Sequence, residues 1–331
     1  MNKPLISALA GAMMIASAAS AQLPQGYEVA TWHGFSDCAV TYSFDDLTGN
    51  QLPVAIPIFD KYNLKATLNV VTDWVSASQW ATLKSVSTSG HEVASHTVAH
   101  KNMTELSAED FESEMSESKK KIESAVGKEC ITMVYPYCAK AHEEITSKYY
   151  ISARSCSGQV ENQTPVNMYD ISSKGVGTES ATQTADDFNA WVADGVKLGG
   201  WCTFLIHGID DDKGYSPIKS NELEKHLQYV AGHPHKFWVA TFASVTKYII
   251  ERNSLVVSEI QKGKSAKVTV ECKAKSSLTK FDEPITLRRI APEGCQQVIL
   301  KAPGVKTKKE VNNGRVVFDV VPGNTYTLIF K

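Results

Sequence analysis

The sequence predicts an α/β fold, a (β/α) barrel or a doubly wound sheet, followed by a small all-β domain. Two patterns carry this. From Cys38 to Arg252, short β-like runs alternate with amphipathic helical stretches. Beyond Arg252, helical periodicity gives way to closely spaced strands separated by turn residues. Strand–helix alternation calls for parallel βαβ units. Folds of that kind gather their functional groups at the carboxyl ends of the strands.

The elements follow in order. AVTYSF is the first strand of the alternating region, and a helix follows around Leu52–Tyr62, with Ala55, Ile58, Phe59 and Tyr62 at helical spacing. Next come the strand ATLNVV, a helix near Ser78–Ser89 and the strand EVASH. A long polar helix covers Ser107–Val126, and its opening Ser107-Ala108-Glu109-Asp110 resembles a capping signal. ITMVYP, a helix at Ala141–Tyr149 and ISARS lead into a less regular stretch through Tyr169–Val176. A helix at Thr184–Leu198, CTFLIH, a helix at Asn221–Ala231, FWVATF and a helix at Val245–Arg252 complete the region. Then SLVVSEI, AKVTVECKA, ITLRRI, QQVILKA, GRVVFDVV and TYTLIF read as strands, broken by Pro292-Glu293-Gly294, Asn312-Asn313-Gly314 and Pro322-Gly323-Asn324. Such a run makes a small β-sandwich. The expected organisation is therefore residues 1–21 as a signal peptide, 22–253 as the α/β domain and 254–331 as the sandwich.

The signal peptide rests on Lys3, the apolar run after it and the small-residue ending Ala19-Ser20-Ala21, which place cleavage before Gln22. A secreted or periplasmic protein is expected, with no membrane span, because no later run is long and apolar enough. With 331 residues and a net charge of −2, the chain has room for one large and one small domain. No dense basic run with interleaved aromatics marks a nucleic-acid binder. In the C-terminal domain Lys and Arg outnumber Asp and Glu, which suits a face for carbohydrate or polyanion as well as plain solvation. Of the 7 cysteines, Cys272 and Cys295 are the two in that domain and are its natural pair, and the odd total leaves at least one thiol without an intramolecular partner. Cys138 and Cys156 each follow a strand end, and if those parallel strands are neighbours the two could bridge there; the competing reading is two unpaired buried thiols.

Polar groups collect at the strand ends. AVTYSF runs into Asp45-Asp46, EVAS into His96 and His100 of SHTVAH, ITMVYP into Tyr137, and CTFLI into His207. Each feature alone has an ordinary explanation: a helix N-cap, a surface turn, a buried histidine. Together they favour a metal hydrolase. The ordered series SFDD, SHTVAH, VYPY and FLIH resembles the motifs of the polysaccharide deacetylases, carbohydrate esterase family four, over roughly Val40 to Arg252.

That resemblance implies a distorted (β/α) barrel and removal of acetyl groups from amino sugars or acetylated xylan. It implies Asp46, His96 and His100 as ligands of a divalent metal. An Asp and two His suit zinc, although cobalt, nickel or manganese could fill the same set. It implies Asp45 as the base, the backbone N–H of Tyr137 as oxyanion donor and His207 as the acid for the leaving group. One departure stands out: where the family often has an arginine that orients the base, this chain has Val134. Arg154, at the end of ISARS, is the expected replacement. Asp170 lacks the tryptophan that often follows in a fourth motif, so Trp238, beside Leu205, is a candidate for lining the acetyl pocket. The expected substrate is an acetylated polysaccharide or oligosaccharide, with an N-acetyl amino-sugar polymer ahead of acetylxylan. A catalytically inert carbohydrate-binding protein and a peptidoglycan-stem amidase are the alternatives. Oligomeric state is not encoded in any pattern here.

Overall fold

The structure, a computed structural model, describes residues 20–331. The expected signal segment lies outside the described residues apart from its last positions. Among the described residues no helix is long and apolar enough to cross a membrane.

The chain opens with β1 (Tyr27–Val29) and β2 (Cys38–Asp45), then α1 (Ile56–Lys61), β3 (Thr67–Val70), α2 (Ala77–Thr88), β4 (Glu92–Ser95), α3 (Ala108–Val126) and β5 (Thr132–Val134). There follow α4 (Glu143–Tyr149), β6 (Ser152–Arg154), β7 (Lys174–Gly175), α5 (Ala185–Leu198), β8 (Trp201–Ile206), α6 (Ser220–Ala231), β9 (Phe237–Val239) and α7 (Phe242–Asn253). The strands of this region form one sheet in the order β6-β5-β4-β3-β2-β8-β7, with β9 also pairing β2, and all these pairs are parallel. The sheet curls until its edges nearly meet. Ile171 bridges Arg154 at one edge, while the Val176 N–H donates to the Leu205 carbonyl at the other. The irregular stretch after β6 thus draws the two edges together, as a distorted (β/α) barrel requires.

Helix starts follow local chemistry. Ser76 and Thr184 form capping boxes with Gln79 and Asp187, and Ser107 accepts from the Asp110 N–H at the start of α3. Gly127 and Gly199 end α3 and α5 in the left-handed conformation, which glycine adopts without a Cβ penalty. Strand alternation sorts the side chains of β2. Cys38, Val40, Tyr42 and Phe44 join the apolar core under the helices, whereas Thr41, Ser43 and Asp45 are buried on the other face, inside the barrel. The lower interior is plugged by Ala39, Ile171, Trp201 and Phe242. The upper interior is polar, with Ser43, Asp45, Asn69 and Arg154. An apolar plug below and a polar layer above place the chemistry at one end.

The second unit comprises β10 (Leu255–Lys262), β11 (Ser265–Cys272), β12 (Ile285–Ile290), β13 (Gln297–Ala302), β14 (Val305–Glu310), β15 (Arg315–Val320) and β16 (Thr325–Phe330). Its sheets run β10-β11-β16-β13-β14 and β1-β12-β15, with Val268, Leu287, Val316 and Leu328 among the residues of their shared core. The boundary expected at residue 22 is corrected. Strand β1 pairs antiparallel with β12, and Gln22 bridges Val256, so the segment before the barrel is part of the sandwich. The segment is too short to show alternation over a full strand, and its partners come from more than two hundred residues away. The units pack directly: the Tyr248 hydroxyl donates to Ala30 O, and the Glu283 N–H donates to Glu251.

Cys138 and Cys156 form a disulfide. The expected Cys272–Cys295 pair does not form, and both thiols are free. Cys272 ends β11, whereas Cys295 lies beside Gln296, which donates to Lys331, at the end of the sheet where β11 begins. Seven residues of strand separate those ends, roughly 24 Å at the usual rise, far beyond the reach of a disulfide. Cys272 instead contacts the Ser254 hydroxyl at 3.2 Å.

Candidate active site

Asp45 is the last residue of β2, and Asp46 turns the chain with φ 73°. That left-handed turn sends the two neighbouring carboxylates in different directions. Asp45 stays inside the barrel, 3% exposed. Arg154, from the end of β6, donates Nη2 to Asp45 Oδ1 at 2.7 Å and to Oδ2 at 2.5 Å, and Asn69 on β3 donates to Oδ1 at 2.8 Å. Burial by itself would raise the Asp45 carboxyl. The Arg154 charge, followed by His96 and His207, outweighs burial and holds it below the usual carboxylate range. Arg154 is fixed in turn by the Ser173 hydroxyl at 3.0 Å.

Asp46 faces the histidines. Its Oδ1 lies 3.5 Å from His96 Nε2 and 3.7 Å from His100 Nε2, and its Oδ2 lies 4.0 Å from His207 Nε2. One ligand atom from each of Asp46, His96 and His100 falls within 4.8 Å of the others. Donor atoms bound tetrahedrally at ~2.0–2.1 Å from a common ion stand ~3.3 Å apart, close to the spacing seen. Two further observations fit a cation. Asp46 Oδ1 is buried with no hydrogen-bond partner. The His96 Nδ1 lies 3.0 Å from the Val134 carbonyl, so it is placed to donate there and leave Nε2 as a lone pair toward the cluster. Burial, then the neighbouring Asp45 charge, push the Asp46 carboxyl up to about 6. Burial holds the His96 imidazole down to about 4 and lowers His100 as well, which keeps both in the neutral form that binds metals.

The loop that carries the histidines is held from below. Glu114 of α3, 4% exposed, accepts from the Val98 N–H at 2.8 Å and from the Ala99 N–H at 3.0 Å. His100 has φ 55°, and its N–H donates to the Thr97 hydroxyl. SHTVAH is therefore a compact turn, and the two rings meet edge to face at 4.6 Å. On the other side, Gln51 donates to the carbonyls of Asp45 and His207, which ties the end of β2 to the end of β8. Exposed aromatics complete the rim. Trp74 is 53%, Tyr137 70% and Tyr215 62% exposed, the exposed aromatic side chains among the described residues. Their rings stand 5.2 Å from His100, 4.6 Å from His100 and 5.1 Å from His207 respectively.

The structure thus brings together Asp45, Asp46, His96, His100, Tyr137, Arg154 and His207. Leu205 stands in register with Ser43 of β2, two residues before Asp45, on the inner face of the sheet. Trp238 is a correction. It pairs with Ala39 at the opposite end of β2 and packs on Tyr248, Trp32 and His33 at the junction of the two units. Strand β9 joins β2 only through Cys38–Val40, so its aromatic residue cannot reach the upper rim. Asn69, Gln51, Glu114 and Ser173 carry no motif. The one trace of Asn69 in the sequence is a polar residue inside the apolar run ATLNVV.

Residues 34–150 match the family model described as polysaccharide deacetylase. Over those residues the barrel domain is similar to that family. Polysaccharide deacetylases of carbohydrate esterase family four are hydrolases that remove acetyl groups, and the family is metal-dependent. A candidate polysaccharide deacetylase from Mycobacterium smegmatis has a similar structure, with a TM-score of 0.53 and 13% identity over 66% of this chain and 92% of that one. It supports the barrel fold of this domain. Two further solved structures are similar: a family 4 acetyl xylan esterase from Clostridium thermocellum in complex with a cobalt ion (20% identity, 62% of this chain and 89% of that one, TM-score 0.46), and the Xyl-CE4 domain of a multidomain xylanase from the hindgut metagenome of Trinervitermes trinervoides (17% identity, 63% and 89%, TM-score 0.47). No curated protein gives a significant match to the sequence.

Proposed function

We propose that this chain is an exported, metal-dependent deacetylase of an N-acetyl amino-sugar polymer. One observation carries the reading. A carboxylate clamped by arginine and asparagine, Asp45, stands directly beside a three-ligand cluster, Asp46, His96 and His100, in which Asp46 Oδ1 is buried without a hydrogen-bond partner. A divalent cation in that cluster, zinc by the chemistry of the donor set, would lower the pKa of water and polarise the acetyl carbonyl.

The chain's own residues divide the remaining work. Asp45, kept ionised by Arg154, takes a proton from the attacking water. The backbone N–H of Tyr137, turned at φ 55°, donates to the developing oxyanion. His207, on the far side of the Asp46 carboxylate, delivers a proton to the leaving nitrogen. Amide cleavage depends on that last delivery, because an amide anion is a very poor leaving group. Trp74, Tyr137 and Tyr215 around the mouth offer flat apolar faces to sugar rings.

Acetate release tests the reading. Purified protein is assayed on chitooligosaccharide, peptidoglycan and acetylxylan, before and after chelation and after zinc is returned. Release from the amino-sugar substrates that chelation stops and zinc restores is expected. Release from acetylxylan alone would move the substrate to an O-acetyl ester, and release of an amine-bearing fragment without acetate would make the protein an amidase. Undiminished turnover after complete metal removal would overturn the mechanism.

A further inference from the structure

The outer face of the five-stranded sheet is a candidate binding surface far from the deacetylase site in sequence. Its inner face is apolar, since Val268, Val298 and Leu328 lie in the sandwich core. Strand alternation therefore turns their neighbours outward. The register aligns those neighbours across the strands. Ile260 pairs with Lys267, Lys267 with Thr327, Thr327 with Lys301, and Lys301 with Lys306. A second row, two residues along, begins at Lys262, passes Ile329 and Ile299, and ends at Lys308. With strands ~4.8 Å apart, the ammonium groups are spaced at roughly 5–10 Å over a flat surface.

Two features separate this face from an ordinary solvated one. Among the described residues Lys262, Lys267, Lys301 and Lys306 make no ion pair, whereas Lys308 is matched by Glu310 at 3.2 Å. In addition, Lys301 and Lys306 stand directly opposite each other on adjacent strands. Like charges in that arrangement disfavour the sheet. Folding gains nothing from the pair, but a bound anion would relieve it.

We propose that this face binds a carboxylate-bearing polysaccharide and holds it for the neighbouring deacetylase domain. Charge complementarity identifies an anionic partner. The side chains around the charges identify a saccharide. The Thr327 hydroxyl and the Ile329 and Ile299 methyls lie between the lysines, suited to the hydroxyl and C–H surfaces of sugar rings. The arginine forks and stacking aromatics that grip nucleic acid are absent from the rows. The inference takes from the deacetylase assignment only that the protein works on polysaccharide. Its test needs no turnover, so it succeeds or fails independently of the proposed catalysis.

The experiment is affinity electrophoresis of the mature full-length protein in gels containing polygalacturonate or neutral hydroxyethylcellulose. Polygalacturonate should retard the protein at low ionic strength, and salt should weaken the retardation. The combined change Lys267→Glu, Lys301→Glu and Lys306→Glu should lower the affinity at least tenfold. The same charge change at Lys84, Lys120 and Lys236, on the barrel domain, should alter it less than twofold. Thermal melts verify that both variants fold. Should the glutamate triple fail that check, the milder Lys301→Gln, Lys306→Gln variant must show a loss in the same direction. Equal retardation by the neutral polymer, an equal loss in the control triple, or tighter binding of duplex DNA than of polygalacturonate at the same salt would each overturn the proposal.

Discussion

Arg154 holds Asp45 from inside the barrel, contacting one carboxylate oxygen at 2.7 Å and the other at 2.5 Å, although the two residues lie 109 positions apart. Both are almost fully buried. A buried carboxylate needs such a partner to stay ionised, and the Val134 position supplies none. The β6 strand end delivers the guanidinium instead.

Arg154→Ala should therefore be costly twice over. Leaving Asp45 buried and unpaired destabilises by ~3–5 kcal/mol, the usual cost of breaking a buried pair. The activity should fall about a hundredfold or more, on the order expected for disabling a general base, and in kcat more than in KM. Metal content should persist, because Arg154 touches none of the cluster. Arg154→Lys should recover charge but not the two-oxygen contact, and so only part of the rate. An activity loss no greater than that from removing an arbitrary surface arginine would sink the base-orienting role. Steady-state kinetics with metal analysis on the same preparations decides it.

Glu114 makes a different prediction. It receives the N–H groups between the two histidines. Glu114→Ala should free that turn, and outer contacts of this kind typically change metal affinity 10–100-fold. Competition with a chromogenic chelator measures the loss. Unchanged affinity would mean that the turn holds its shape without α3.

The junction between the units sets a pH dependence of stability. Burial, the largest influence, pushes the Glu251 carboxyl up to about 8, and Glu251 accepts from the Glu283 N–H. Burial likewise raises Glu283 to about 7. The folded state therefore holds protons that the unfolded chain, at the ordinary carboxyl value of 4.5, has released. Their stabilising effect is complete below pH 4.5 and is lost as pH rises toward about 8. Denaturation midpoints measured across that window should fall with pH from this source. Glu251→Gln should flatten the slope. A slope identical to that of the unaltered protein would show that Glu251 does not carry it.

Thiol titration checks the cysteine arrangement. Cys38, Cys130, Cys202, Cys272 and Cys295 are free, so protein denatured without reductant should yield five thiols. Three would mean that a second pair is oxidised, with Cys38 and Cys202, whose thiols are in contact, the nearest candidates. Reducing the Cys138–Cys156 bond, which spans 18 positions, should cost roughly 3 kcal/mol by loop entropy. Its strand-end position predicts that the loss falls first on the Tyr137 turn.

The amino-acid sequence alone determined the strand–helix alternation of a barrel or doubly wound sheet, the elements in their order along the chain and the polar residues at the strand ends. Those properties are local or periodic: alternation, caps, and motifs whose members sit within a few residues of each other. SFDD and SHTVAH are legible because a strand end and a tight turn each place their own side chains. Tertiary structure decided what depends on distant partners. It brought Asn69, Gln51 and Glu114 to the site beside the expected Arg154, carried β1 into the sandwich, moved Trp238 to the far end of β2 and kept Cys272 away from Cys295. Each of these depends on residues far apart in the sequence. Register between strands, rather than the composition of any one of them, determines who meets whom.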